Sequence, residues 1–274
     1  MLFASDLDQT LVYSHRAFIS KEIDEQIRPV ERLDDQFISF MTQNALIKLR
    51  EISQQVLFVP VTTRTKLQYQ RINFLEYDIS YQYAVTSNGG TIFYKGREDK
   101  DWAQHVLDGR DNCLAFEDLI NKFNEISHSS WVIPNSGKLA DDLFFYCLIE
   151  REKIPLAELA AFKIWASDNN WELSVQGRKL YLVPLNVNKK AAIQYIREKE
   201  NVSRVVAAGD SLLDLDMLRA ADQAIAPPHG EIYALYLQGV TGLERIKFTE
   251  KSGIEAAEDI LDVIVGSLSK QAVV

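Results

Sequence analysis

The sequence predicts a doubly wound α/β fold, a parallel sheet covered on both faces, interrupted by an inserted α+β module. Three observations carry that expectation. Short apolar runs at 2–5, 56–61, 83–85, 205–208 and 224–226 end in polar or turn residues, as strands covered on both faces do. Segments of helical period follow or precede most of them. Between residues 87 and 184 the texture changes to strands of polar alternation, with turn pairs such as Lys95-Gly96 and Gln176-Gly177.

The elements follow in order. Residues 2–5 form the first strand, and 44–54 form a helix opening on an N-cap. After the second strand, 64–75 reads as one helix. The inserted module holds strands at 91–94, 144–149, 171–175 and 179–183 and helices at 115–125 and 156–168. Helices at 188–200 and 212–221 flank the fourth strand, and 254–268 closes the chain as an amphipathic helix. The stretch 11–45 is longer than a connection requires and reads as a flap containing a helix. The resulting division is a core of 1–86 and 185–274 around a module of 87–184, with Asn88-Gly89-Gly90 and Pro184 as boundary points.

Composition narrows the function. The 274 residues carry 30 Lys+Arg and 39 Asp+Glu, a formal charge of −9. An acidic chain with scattered basic residues does not displace counterions from nucleic acid or settle on an anionic membrane. No stretch approaches the ~20 apolar residues of a membrane span. Cys113 and Cys147 lie apart from any Cys-x-x-Cys pair, and the start Met1-Leu2-Phe3-Ala4-Ser5-Asp6 has no basic region. Both point to free thiols and a cytoplasmic protein. The charge should repel anionic ligands unless a site locally reverses the field.

Four strand ends carry candidate chemistry. Asp6-Leu7-Asp8-Gln9-Thr10 leaves the first strand. Two carboxylates at this spacing suit a nucleophile and a proton shuttle, and they favour a hard divalent cation; a capped turn is the plainer alternative. Thr62-Thr63-Arg64 after the second strand offers a hydroxyl, backbone N–H groups and a guanidinium to an anion, or simply an N-cap. Lys189 stands at a helix start, where the dipole disfavours it, so it is either solvated or paired with an anion. Gly209-Asp210 ends the fourth strand, with Asp214 four residues later; Asp210 suits a metal ligand and Asp214 a water-binding or orienting role, against ordinary first-turn acids.

In combination, these motifs resemble the haloacid dehalogenase (HAD) superfamily. DLDQT is similar to its first motif, Thr62 to its second, Lys189 to its third and GDSLLD to its fourth, while Ser87-Asn88-Gly89-Gly90 resembles the entry of the family's large α/β cap. The chain is most similar to the subgroup of Cof-type phosphatases, sucrose-phosphate phosphatase and phosphomannomutase. Three positions depart from the pattern: Thr63 replaces Gly, Lys190 follows the lysine where Gly is usual, and Leu213 replaces Asn.

The resemblance implies a Rossmann-like core with the inserted module as a substrate-specificity cap. It further implies a Mg²⁺-dependent phosphomonoester hydrolase acting on a small phosphorylated metabolite, a sugar phosphate foremost, through an aspartyl-phosphate on Asp6. Asp8 would be the acid/base. Thr62 and Lys189 would hold the phosphoryl group. Asp6, Asp8, Asp210 and Asp214 would hold the metal, and Thr63, Arg64 and Asn88 would join Thr62 and Lys189 in substrate binding. A phosphosugar mutase and a non-catalytic phospholigand-binding protein are the alternative outcomes of the same fold.

Overall fold

The computed structural model describes residues 1–18 and 25–271. It divides into two compact units, 1–98 with 189–274, and 99–188. The first unit opens with β1 (Leu2–Ser5), the hairpin β2 (Ile27–Leu33) and β3 (Gln36–Thr42), α1 (Gln43–Ser53), β4 (Leu57–Pro60) and α2 (Lys66–Tyr69). β5 (Tyr83–Thr86), β6 (Thr91–Tyr94) and β7 (Arg97–Glu98) follow. The second unit contains α3 (Lys100–Arg110), α4 (Phe116–Asn124), β8 (Lys138–Ala140), β9 (Phe144–Leu148), α5 (Leu156–Asp168), β10 (Trp171–Gln176) and β11 (Lys179–Pro184). The chain then returns to the first unit through α6 (Lys189–Lys199), β12 (Val205–Ala208), α7 (Leu215–Ala220), β13 (Gln223–Ala226), α8 (Glu231–Leu237), β14 (Ile246–Phe248) and α9 (Ala256–Gln271).

The main sheet runs β14-β13-β12-β1-β4, and every pairing in it is parallel. All four residues of β1 and of β12 are buried, as their unbroken apolar sequences require of strands covered on both faces. From β1 the chain winds outward to β4; from β12 it winds outward the other way to β13 and β14. The strand order therefore reverses between β1 and β12. A crevice opens beyond the carboxyl ends of such a strand pair, and α/β sheets place ligands there. Ser5 is in register with Ala208, so the residues that follow both strands emerge side by side.

The second unit is built on an antiparallel sheet of order β10-β11-β9-β8. Its core gathers Leu119, Phe123, Trp131, Phe162 and Trp171, so Trp131 and Trp171 are packing residues, and Trp102 is likewise buried.

Four expectations change. The segment 83–85 is not a ladder strand of the parallel sheet: β5 pairs antiparallel with β6 and is joined to the end of β4 by a single parallel bridge, Val61–Val85. That pairing keeps residues 87–98 with the first unit. The observed division at 98/99 and 188/189 thus lies inside the expected module of 87–184 at its start and four residues beyond it at its end. The segment 64–75 is not one helix. α2 starts on a Thr65–Gln68 capping box and stops after one turn, because Ile72 bridges Glu31 and Asn73 N–H donates to Val30 O at 2.8 Å. The hairpin takes the backbone groups that the helix would have used. Finally, the 11–45 stretch is chiefly the β2–β3 hairpin, with one 3₁₀ turn at His15–Ala17; the expected flap helix is absent among the described residues, and 19–24 lie outside them.

Candidate active site

The site grows from the loop that leaves β1. Asp6 N–H donates to Ala208 O at 2.9 Å, carrying the parallel ladder one residue past the strand and seating Asp6 beside β12. Leu7 O then accepts from the N–H groups of Thr10, Leu11 and Val12, while Gln9, at φ 62°, donates back to Val12 O. This tight turn returns Thr10 to the strand end. Its Oγ1 lies 3.3 Å from Asp6 Oδ2 and 3.4 Å from Asp210 Oδ1, bridging the two carboxylates. Tyr13 OH donates to Thr10 O, and His229 Nε2 donates to Gln9 O at 2.9 Å. The tautomer is set by Gly253 N–H, which donates to His229 Nδ1. The loop is thus pinned from two further segments.

Lys189 resolves the conflict between its charge and its place at the start of α6. It is 1% exposed, and Nζ lies 2.6 Å from Asp6 Oδ1 and 2.6 Å from Asp214 Oδ1. Burial disfavours its charge, but Asp214 and Asp6 outweigh that and raise its pKa. The other oxygen of Asp214 accepts from the N–H groups of Asp210 and Ser211 and from Ser211 Oγ. Both oxygens of Asp214 are therefore committed to fixing the lysine and the loop after β12. Gly209 makes that loop possible: a Cβ there would lie 2.5 Å from Asp214 Cβ and 2.6 Å from Cγ.

Three buried carboxylates face one ammonium. Asp6, Asp210 and Asp214 each offer an oxygen within 4.8 Å of the others. Burial pushes Asp6 up to about 7 despite the opposing charge of Lys189, with Asp214 and Asp8 adding to the rise. Burial and then the charges of Asp6 and Asp214 hold Asp210 well above the ordinary carboxylate range. Such a cluster is short of positive charge. An oxygen-only donor set of this kind fits a hard divalent cation, which would let Asp6 and Asp210 ionise.

The remaining predicted residues surround this cluster in part. Thr62 is fully buried, and its Oγ1 accepts from Arg64 N–H at 3.1 Å. Arg64 turns to Asp8: Nε and Nη2 donate to Oδ2 and Oδ1 at 2.8 and 2.7 Å. Asp8 is the half-exposed member of the set. Ser87, Asn88 and Gly89 all have positive φ (53°, 58° and 98°), and both non-glycines are buried. Strain of this kind persists only where the surroundings impose it. Here Ser87 N–H donates to Arg64 O and Asn88 N–H to Thr62 O, so the turn is bolted to the Thr62–Arg64 segment. Thr63 is partly buried.

Thr10, Glu31, Ser39 and His229 escaped the sequence reading. Thr10 stood inside the quoted DLDQT motif and was legible there. Glu31 and Ser39 lie on the hairpin, whose contact with Arg64 no local pattern announces. Cys113 and Cys147 are both free, as expected, and burial pushes the Cys147 thiol up to about 12, so it is inert. Among the described residues no helix is long and apolar enough to cross a membrane.

No family model and no curated protein matches the sequence. Solved structures do. The sucrose-phosphatase of Synechocystis sp. PCC6803, solved with sucrose and phosphate, superposes with a TM-score of 0.68 at 16% identity, covering 97% of each chain. A haloacid dehalogenase-like hydrolase protein from Bacillus subtilis gives 0.56 at 16% identity over 97% of this chain and 92% of its own. A trehalose-6-phosphate phosphatase related protein gives 0.54 at 18% identity over 98% of this chain and its full length. The chain has the haloacid dehalogenase-like fold: a parallel core sheet with a separate antiparallel unit.

Proposed function

We propose that the chain is a Mg²⁺-dependent phosphomonoesterase acting on a small phosphorylated metabolite, with a sugar phosphate as the first class to test. One observation carries the reading: Asp6 is buried at the reversal point of the sheet, held by Lys189 and facing Asp210 across Thr10. A structural carboxylate has no need of two further buried acids beside it.

A bound Mg²⁺ would offset the charge of the phosphoryl oxygens and of the carboxylates. Asp6 and Asp210 would hold it, with the Asp8 backbone carbonyl. Asp214, with both oxygens taken, would hold Lys189 rather than the ion. In the first step an oxygen of Asp6 forms a bond to phosphorus as the ester P–O bond breaks, and Asp8 gives its proton to the leaving oxygen. In the second step Asp8 takes a proton from water, whose oxygen bonds to phosphorus as the Asp6–phosphorus bond breaks. Lys189 and Thr62 keep the phosphoryl oxygens in line and stabilise their charge, which is most of what a protein contributes to phosphoryl transfer. Thr63, Arg64 and Asn88 would add contacts to the substrate, and the inserted module would supply the selectivity for the leaving group.

The acidic net charge does not exclude a small phosphate ester, because a bound cation together with Lys189 would offset the charge of the three buried carboxylates. The test is phosphate release from a panel of sugar phosphates, nucleotides and phosphoglycerate-type diacids with Mg²⁺. Release by wild type and its loss in Asp6→Asn are expected. Full activity in folded Asp6→Asn overturns the mechanism, and isomerised hexose phosphate without release assigns a mutase instead.

A further inference from the structure

The β2–β3 hairpin carries a buried carboxylate that the mechanism above leaves unused. Glu31 is 3% exposed. Its Oε2 accepts from Ser39 Oγ at 2.5 Å and lies 2.8 Å from Arg64 Nη1, while Oε1 lies 3.9 Å from Arg71 Nη1. Arg64 presents its other edge to Asp8, and its Nη2 also lies 3.4 Å from Ser39 Oγ. The guanidinium is engaged on both sides, by a buried acid from the hairpin and a half-exposed acid from the site. Burial disfavours its charge, but Asp8 and Glu31 outweigh that and raise its pKa.

Two features set this apart from an ordinary ion pair. A buried carboxylate is costly without partners, and an apolar residue at position 31 would pack a hairpin more cheaply. The guanidinium is also a rigid planar fork. Fixing Nη1 against Glu31 therefore fixes the direction of the Nε–Nη2 edge and with it both oxygens of Asp8. Ser39, from the second strand of the hairpin, holds Glu31 on that line. With Nε, Nη1 and Nη2 all engaged, Arg64 is also a poor candidate for a second anionic group of the substrate.

We propose that Glu31 is a positioning residue: acting through Arg64, it holds the Asp8 carboxylate where it meets the leaving-group oxygen. This rests on the reading of Asp8 as the proton donor. It also gives the long 11–45 stretch a purpose, since that stretch supplies both Glu31 and Ser39.

The test exploits leaving-group chemistry. p-Nitrophenyl phosphate releases a stable phenolate and needs little help from an acid, whereas glucose 6-phosphate releases an alkoxide that must be protonated. Glu31→Gln keeps the shape and removes the charge. With Mg²⁺, its kcat on glucose 6-phosphate should fall about 10- to 100-fold, as misplacement of a catalytic group does, while kcat on p-nitrophenyl phosphate and both KM values stay within about threefold. Asp8→Ala should show the same selectivity more strongly. Equal loss on the two probes, or no loss, overturns the role of Glu31. If Glu31→Gln fails to fold by circular dichroism, Ser39→Ala decides by the same comparison. An unselective Asp8→Ala, full activity in Asp6→Asn, or no release from either probe by wild type instead removes the underlying function and this role with it.

Discussion

Replacing Asp6 by Asn should flatten the pH dependence of stability in the metal-free protein. Burial, against the pull of Lys189 and with help from Asp214 and Asp8, raises the Asp6 carboxyl from 3.8 to about 7. Between those values the folded state keeps a proton that the unfolded chain has released, so stability falls as pH rises through the interval and levels off above it. The gap is a factor of about 10³ in proton affinity, on the order of 4 kcal/mol. About 3 kcal/mol of it is lost between about pH 5 and about pH 8. In the variant, position 6 does not titrate, and Asp210 and Asp214 face one charge fewer. Lys189 loses a charged partner only at the pH values where Asp6 is ionised, so the slope rather than the absolute stability is diagnostic. The assay is urea unfolding followed by circular dichroism, in chelator, at both pH values. Wild type should lose about 3 kcal/mol more than Asp6→Asn over this range. Equal losses would refute the premise that burial and neighbouring charge hold a proton on Asp6.

Three further outcomes follow from the same cluster. Mg²⁺ at about a hundred times its dissociation constant should stabilise the fold by about 2.7 kcal/mol, and more at pH 8 than at pH 5 because protons compete for Asp6 and Asp210; an unchanged melting temperature would count against a cation site. Lys189→Met strands Asp6 and Asp214 without their ammonium and should cost about 3–5 kcal/mol in denaturant unfolding, part of it recovered by Mg²⁺, with turnover down at least ~10²-fold. Gly209→Ala drives a Cβ into Asp214 and should cost about 1–3 kcal/mol while displacing Lys189, so that activity falls more than stability alone explains; wild-type activity in this variant would mean that Asp214 is not the lysine's fixed partner.

Most of the sheet and three functional strand ends were legible because each is a local pattern. Unbroken apolar runs marked β1, β4, β12 and β13, and polar residues at their carboxyl ends marked Asp6, Thr62 and Asp210. Lys189 could be located, but not its partners: Asp6 lies 183 residues away in sequence. Among the described residues, seven elements have no counterpart in the sequence reading, β2, β3, β7, α3, β8, α8 and β14, and α2 is shorter than its pattern; three of these show the physical reason. α3 has its turn of Asp99-capped helix in a strongly polar segment, which masks its apolar face. β14 is a three-residue edge strand, too short to show a period. α2 was overextended because residues 64–75 have a helical period, which the hairpin overrides by taking Ile72 and Asn73. The Glu31–Arg64–Asp8 chain joins three separate segments, and no spacing rule connects them.

The central claim is that Asp6 is phosphorylated during turnover. Acid quench during hydrolysis of p-nitrophenyl phosphate with Mg²⁺, followed by proteolysis and mass spectrometry, tests it most directly. The account predicts a gain of about 80 Da, one phosphoryl group, on the peptide containing Asp6, absent in Asp6→Asn and persisting longer in Asp8→Ala, where water is no longer deprotonated. Steady turnover with no such adduct on that peptide, or the same turnover in Asp6→Asn, would contradict it.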